Sequence, residues 1–497
     1  MPVSIEIILL WVSMLILISI FSSKLSDKFA VPALLLFLVI GMLAGAEGPG
    51  KIYFDDPSLA KTIGIVALIF IIFSGGLDTS WKEIRPVALP GFFLATAGVF
   101  LTAFIVGVFS VFILKFSLLE GLLLGAIVSS TDAAAVFSVL RSRHISLKSP
   151  LKPLLELESG SNDPMSVFLT LSFISMLTAK NIGVMTLASR FVLDMGGGAL
   201  VGYAMAKMSV WLIGRLKLEY DGLYPVLTVS LVLLAYSLAS ILDCNGFLAV
   251  YLVGLIMGRY EFLNKKMIMR FHDGLAWLMQ IVMFLTLGLL VFPSHLFPVM
   301  GAALMLAIAL MVFARPISVL MCLLPFPMVL RKKIMVAWVG LRGAAPIVLA
   351  TFPLLAGIPQ ADTIFNVVFF VVLTSVLIQG TSIPFVSRLL NVSAPLANRR
   401  HYPIEFEKIE GIDAELTDLI VPYVSEAVGK RLMELHMPGK CLIVLISRGD
   451  KYIIPAGQTV IEGGDVLLVL ANERDLAALQ KTLASLKEEE QENRDAG

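Results

Sequence analysis

The chain has 497 residues, of which 58% are hydrophobic and 15% charged, with a mean hydropathy of +0.90. A water-soluble globule is excluded by that composition. The formal net charge of +1 gives no sign of an acidic partner, and no nucleic-acid ligand is expected.

Apolar runs long enough to cross a ~30 Å hydrocarbon core recur from Ile5 to Leu390. The first, residues 5–23, has no basic stretch before it and no small-residue cleavage site after it, so it reads as a retained span. Thirteen spans are predicted: 5–23, 30–46, 58–77, 87–114, 118–140, 153–179, 184–214, 222–242, 245–260, 272–292, 296–323, 333–357 and 362–390. The basic residues of the connections test that division. Lys24, Lys28, Lys82, Arg85, Arg141, Arg143, Lys148, Lys152, Arg215, Lys217, Arg259, Lys265, Lys266, Arg270, Arg331, Lys332, Lys333, Arg388, Arg399 and Arg400 fall on one side. Only Lys51, Lys61, Lys115 and Lys180 fall on the other. Basic loops stay in the cytoplasm, which puts the N-terminus outside and the C-terminus inside.

Within the fifth span Ser129, Ser130 and Thr131 precede Asp132. Hydroxyls there compete for backbone hydrogen bonds and bend helices. Two readings stand: a local unwinding that exposes carbonyls beside the Asp132 carboxylate, or a regular Ala-rich helix with Asp132 bonded to a neighbour. The sixth span carries Glu158-Ser159-Gly160-Ser161-Asn162-Asp163-Pro164. Ser159 and Asp163 share one helix face, Glu158 and Asn162 the adjoining one. Pro164 has no N–H, so the Gly160 carbonyl loses its helical partner. An ionisable group at bilayer depth is costly and by default functional. The oxygens gathered here suit a hard monovalent cation, the rival reading being a polar knot that tightens helix packing.

The seventh span holds Gly196-Gly197-Gly198, read as a close helix contact, with Arg190 and Asp194 four apart and expected to pair. Arg315 is read as snorkelling from a helix end. The twelfth span holds Gly340-Leu341-Arg342-Gly343-Ala344-Ala345-Pro346, a second candidate interruption. Arg342 is a lone cation near the span centre, and Glu158 is the expected partner. Spans five and twelve are seven apart, an odd offset that makes the two halves inverted, as in secondary transporters.

After residue 391 the composition turns polar. Residues 392–410 read as a linker, 411–486 as a small α+β module and 487–497 as a disordered tail. In the module a helix is expected over 418–435, strands at 441–447, 452–454 and 466–470, turns at Arg448-Gly449-Asp450 and Gly463-Gly464-Asp465, and a helix over 474–486. Cys244, Cys322 and Cys441 suggest no disulfide framework and no zinc spacing. The fold class is therefore an all-α polytopic membrane protein of thirteen helices with inverted repeats and two interrupted helices, carrying a small cytoplasmic α+β domain.

At Ser129–Ala135, Glu158–Pro164 and Val339–Pro346 the chain resembles the NhaP-type antiporters of the monovalent cation:proton antiporter 1 family, over about residues 1–390. That resemblance implies a monovalent cation held by Asp132, Asp163 and Ser159, with the Thr131 main chain contributing. It also implies Glu158 paired with Arg342 and orienting Asn162. Asn162 beside Asp163 resembles electroneutral members, where electrogenic relatives carry two acids. Homodimers with separate core and dimerisation regions are implied. Ser74 stands where many relatives have an acid, and Asp78 nearby is expected to face elsewhere. Residues 411–486 resemble the TrkA-C domain, through Arg448-Gly449-Asp450, Ile454-Pro455-Ala456-Gly457 and Gly463-Gly464-Asp465-Val466-Leu467. Together they look like the potassium/proton antiporter subgroup, with a nucleotide or cyclic dinucleotide as the implied ligand of the tail.

The expected activity is exchange of cytoplasmic K+ (or Na+) for H+ at a bacterial inner membrane, with no enzyme activity and no cofactor. The alternatives are a Na+(Li+)/H+ antiporter and, in another class, a TrkA-C-gated K+ channel, though no Thr-Val-Gly-Tyr-Gly-type filter is present. An intramembrane aspartyl protease is disfavoured by the spacing around Asp163 and gives Arg342 no role.

Overall fold

Backbone polar groups in lipid must be satisfied within the segment, and helices do this. The computed structural model describes residues 4–29, 32–178, 183–262, 264–395, 414–435, 441–449 and 451–484. It separates into two units, Met1–Asn398 and Arg399–Gly497. The first unit is helical. In order it contains α1 (Ile5–Phe29), α2 (Ala33–Ala44), α3 (Pro57–Asp78), α4 (Trp81–Leu114), α5 (Leu118–Ser129), α6 (Ala133–Ser142), α7 (Leu151–Thr178) and α8 (Val184–Arg215). Then come α9 (Leu223–Ile241), α10 (Gly246–Arg259), α11 (Lys265–Leu290), α12 (Met300–Leu323), α13 (Leu330–Trp338), α14 (Ala344–Leu355) and α15 (Ala361–Leu389). Seven of the described helices are long and apolar enough to cross a membrane, or eight if α5 and α6, bent by 42°, count as one span.

Two packing groups share the unit. The first sets α3 against α10 and α11, with α2 on α11 and α8 on α10. Small residues bring these backbones together: a Cβ on Gly41 would lie 2.9 Å from the Gly288 Cα, and one on Gly254 would lie 2.5 Å from the Phe73 carbonyl oxygen. The glycines of α8 serve the same purpose, since a side chain on Gly198 would meet the Asn245 backbone. In the second group α5 packs on α4 and α7, and α15 packs on α12 and α14. Single π-helical turns interrupt three long helices, at Leu94–Gly98 in α4, Leu310–Ala314 in α12 and Val376–Gly380 in α15.

The segment expected to begin a polar linker is partly ordered. Ile145–Leu147 (β1), just after α6, pairs antiparallel with Ser393–Pro395 (β2), just after α15. Lys148 reinforces the clip, its N–H donating to the Val392 carbonyl at 2.9 Å and its Nζ to the Asn391 carbonyl at 3.0 Å. Residues 396–410 lie outside the described residues, as does the expected disordered tail at 487–497.

In the second unit Glu415–Ile420 (β3), Leu442–Arg448 (β4), Lys451–Ile453 (β5) and Val466–Ala471 (β6) form an antiparallel sheet in the order β3-β6-β4-β5. Glu473–Ala484 forms α16, and Leu479 and Leu483 on it join Leu419, Ile446, Leu467 and Val469 in one apolar core. The helix expected over 418–435 is not formed. Its first residues pair with β6 instead, because Leu419 then enters the core as alternate positions of β3 face it. The expected strands at 441–447 and 466–470 are present. Gly449 takes φ +58° at the hairpin and Gly464 φ +87° at the second turn. Arg448 holds that turn: its Nε and Nη2 donate to the two Asp465 carboxylate oxygens at 2.9 Å, and these bonds raise its pKa.

Candidate ion-binding site

The backbone breaks at two places that meet. Between α5 and α6 Ser130 and Asp132 adopt extended conformations, so the unwound reading holds. Between α13 and α14 the break spans residues 339–343, and Pro346 lies in the first turn of α14, where a missing N–H costs no hydrogen bond. A broken helix leaves orphan carbonyls on one side and orphan N–H groups on the other. Here the breaks satisfy each other. The Asp132 N–H donates to the Leu341 carbonyl at 2.8 Å. Arg342 Nη1 donates to the carbonyls of Ser129 and Ser130, both at 2.7 Å, placing a cation at the negative end of α5. The Asp132 carboxylate caps α6 by accepting the Ala135 N–H at 3.0 Å. Gly343 is required where the chains cross, since a Cβ there would collide with Asp132 Oδ2. The second break is further tied to α15: the Arg342 N–H reaches Ser375 Oγ at 3.2 Å, and Gln379 Nε2 donates to the Trp338 carbonyl at 2.9 Å.

α7 crosses beside the first break and supplies its remaining partners. Ser159 Oγ donates to the Thr131 carbonyl at 2.9 Å and accepts the Ala133 N–H at 3.0 Å. Asn162 Nδ2 donates to Thr131 Oγ1 at 2.5 Å. Ser130 Oγ donates to Asp163 Oδ1. Asp132, Asp163, Ser159 and the Thr131 backbone, the set that the family resemblance implies, thus lie together, and Asn162 braces Thr131. Ser130 was missed by sequence reading, although it stands next to Thr131 in the same hydroxyl run. Asp132, Thr131, Ser159 and Asp163 all line one cavity of about 380 Å3, which extends past Arg141, Lys152 and Glu156. No group of three or more His, Cys, Asp or Glu side chains among the described residues could hold a metal ion.

Four expectations are corrected. Glu158 does not take Arg342 as its ion-pair partner: Arg315 Nη1 lies 2.6 Å from Glu158 Oε1. Arg315 does not snorkel, being 2% exposed, with Glu158 and Arg342 each at 1%. The π turn ends at Ala314, immediately before Arg315; such a turn holds an extra residue and so rotates Arg315 inward. Gly340 leaves the room, because a Cβ there would lie 2.8 Å from Arg315 Nε. Asp194 does not pair with Arg190; it accepts from Asn245 Nδ2 at 3.2 Å, and the same nitrogen reaches the Pro164 carbonyl at 3.1 Å. Asp78 does not face away. Leu68, Ile71, Gly75 and Asp78 lie along one face of α3 and line the cavity with Asp163, whereas Ser74 lies off that face and is buried.

Comparison with known proteins now places the chain. Residues 12–389 match the family described as sodium/hydrogen exchanger, transmembrane, and residues 416–484 match the TrkA-C domain. The chain is 39% identical over 482 residues to the K(+)/H(+) antiporter NhaP2 of Shewanella sp. (strain ANA-3), covering 96% of this chain and 83% of that one. It is 38% identical to the K(+)/H(+) antiporter NhaP of Alkalimonas amylolytica, covering 97% and 84%. Its fold is similar to that of the sodium proton antiporter MjNhaP1 from Methanocaldococcus jannaschii, with a TM-score of 0.66 at 23% identity over 76% of this chain and all of that one. With the breaks, the two acids and these matches in hand, the chain belongs to the sodium/hydrogen exchanger family and carries a C-terminal TrkA-C domain.

Proposed function

We propose that this protein is a secondary antiporter that exchanges cytoplasmic K+ (or Na+) for H+ across a bacterial inner membrane, one for one. The observation that carries the reading is the convergence of Asp163, Asp132, Ser159 and the Thr131 carbonyl at a helix break that opens on a cavity. A carboxylate withdrawn from water is neutralised by a proton or by a cation, not by both at once. The neutralised states cross the hydrocarbon far more cheaply than a bare charge does. A proton-bound return after a cation-bound crossing is exchange. Asp163 is the titrating group and Asp132 strengthens cation binding. Ser159 and Thr131 supply neutral oxygens, while Asn162, Glu158 and Arg342 hold the break in shape.

K+ is favoured over Na+ and Li+ because the relatives named K(+)/H(+) antiporters are 38–39% identical over nearly the whole chain. The reading also comprises thirteen spans, the N-terminus outside, the C-terminus in the cytoplasm and a homodimer. Residues 1–391 form the transport domain and 411–486 a regulatory domain that responds to a nucleotide or cyclic dinucleotide. Proteoliposome exchange with K+, Na+ and Li+ compared side by side tests this. Asp163→Asn should abolish cation-driven proton movement in protein that remains folded. Exchange retained above background in that variant would remove the assignment, and cation flux without proton movement would favour a channel.

A further inference from the structure

The exchange chemistry leaves Asp78, Glu156 and Tyr251 unused, although all three line the cavity that ends at Asp132 and Asp163. Glu156, Ser159 and Asp163 lie along one face of α7, so Glu156 stands two turns, about 10 Å along the axis, from Asp163. Asp78, the last residue of α3, lines the same cavity. An acid there opposes the helix dipole, no basic residue sits in that last turn, and Asp78 has no ion pair within 4 Å among the described residues. Tyr251 provides an independent sign of a ligand. Its ring packs against Gly160, where a Cβ would collide with Cε2, and the residue is 2% exposed. Its buried hydroxyl leans toward Ser161 and completes no hydrogen bond of normal geometry.

We propose that Asp78, Glu156 and the Tyr251 hydroxyl form an outer loading station, in which a partly hydrated monovalent cation is held before it reaches Asp163. The proposal rests on the exchange reading given above. At ~30 Å3 per water, the cavity of about 380 Å3 holds roughly a dozen waters, enough for an ion with its first shell. The charge around it favours a cation: four acids, Asp78 with nearby Asp273 and Glu156 with nearby Glu83, stand against the two bases Arg141 and Lys152 that line the same cavity. Lys152 lies 3.7 Å from Glu156 with half its side chain exposed, an ion pair of the weak, displaceable kind.

The test is exchange by the full chain in proteoliposomes, measured against K+ concentration on the cavity side. Asp78→Asn and Glu156→Gln should each raise KM for K+ roughly fourfold, the attraction of one unit charge at about 5 Å in a water-like medium, and leave kcat near that of the unmodified protein. Tyr251→Phe, which keeps the ring against Gly160, should raise KM as well. Asp78→Glu and Glu156→Asp should restore it. Choline chloride should erase most of the difference by screening. KM values within twofold of the unmodified protein for both carboxylate variants, or losses confined to kcat, would overturn the station. Asp163→Asn serves as the separate control: retained exchange there removes the exchange site itself, whatever the mouth variants do.

Discussion

Arg315 and Glu158 invite a quantitative test. Both are nearly inaccessible to solvent, and their charged atoms stand 2.6 Å apart. At an effective dielectric of about 20 the attraction at that distance is about 6 kcal/mol, most of it offset by the cost of dehydrating two ions. Removing one partner keeps the dehydration cost and loses the attraction, so Glu158→Ala and Arg315→Ala should each destabilise by about 3–5 kcal/mol. Replacing both with apolar residues (Glu158→Leu with Arg315→Met) should recover most of that loss. Unfolding titrations of the purified protein in mixed micelles give the four corners of the cycle. The coupling should exceed about 2 kcal/mol for Glu158 with Arg315 and stay below about 1 kcal/mol for Glu158 with Arg342, whose Nη1 donates to the Ser129 and Ser130 carbonyls instead. The reverse order would refute the assignment of partners.

Gly343→Ala should abolish exchange, because its Cβ would press on the Asp132 carboxylate; normal exchange would mean the two breaks separate during transport. Exchange should be electroneutral, since Asn162 beside Asp163 cannot titrate. Each net charge moved would be worth about 2.3 kcal/mol per 100 mV, so a rate that tracks an ionophore-clamped potential would contradict it. Arg448→Ala should loosen the TrkA-C domain by leaving the buried Asp465 carboxylate with the Glu462 N–H but no cation, an effect of roughly 1–3 kcal/mol readable as faster proteolysis; unchanged resistance would show the turn is held otherwise.

The site was legible where costly residues sit together. Asp132 beside three hydroxyl residues and Asp163 beside Pro164 are expensive in lipid, which marked both segments and raised a break as one of two readings, while the grouping of the two acids came from the family resemblance. The partners of the cations were not legible. A helical wheel assumes a constant period, and the π turn before Arg315 changes it, which turned an apparent surface arginine into the Glu158 partner. Asp78 was misplaced for a related reason: it was judged from Ser74, whereas the cavity-lining face of α3 runs through Leu68, Ile71 and Gly75. In the tail, a local helical pattern over 418–435 lost to sheet pairing, which no local pattern records.

The clip between β1 and β2 ties the end of α15 to the wall of the cavity. Ile145, Ser146 and Leu147 form part of the cavity wall, and the strand bonded to them is the last described segment before the chain runs on toward its C-terminal domain. One end of β1 continues into α6, a rod of ten residues capped by Asp132 itself. A displacement of Pro395 would bear on α15, from which β2 continues, and through the β1–β2 ladder on the cavity wall and on α6. A chain cut after Pro395 keeps the β1–β2 ladder, whereas a cut after Asn391 removes β2 and with it that support of the cavity wall.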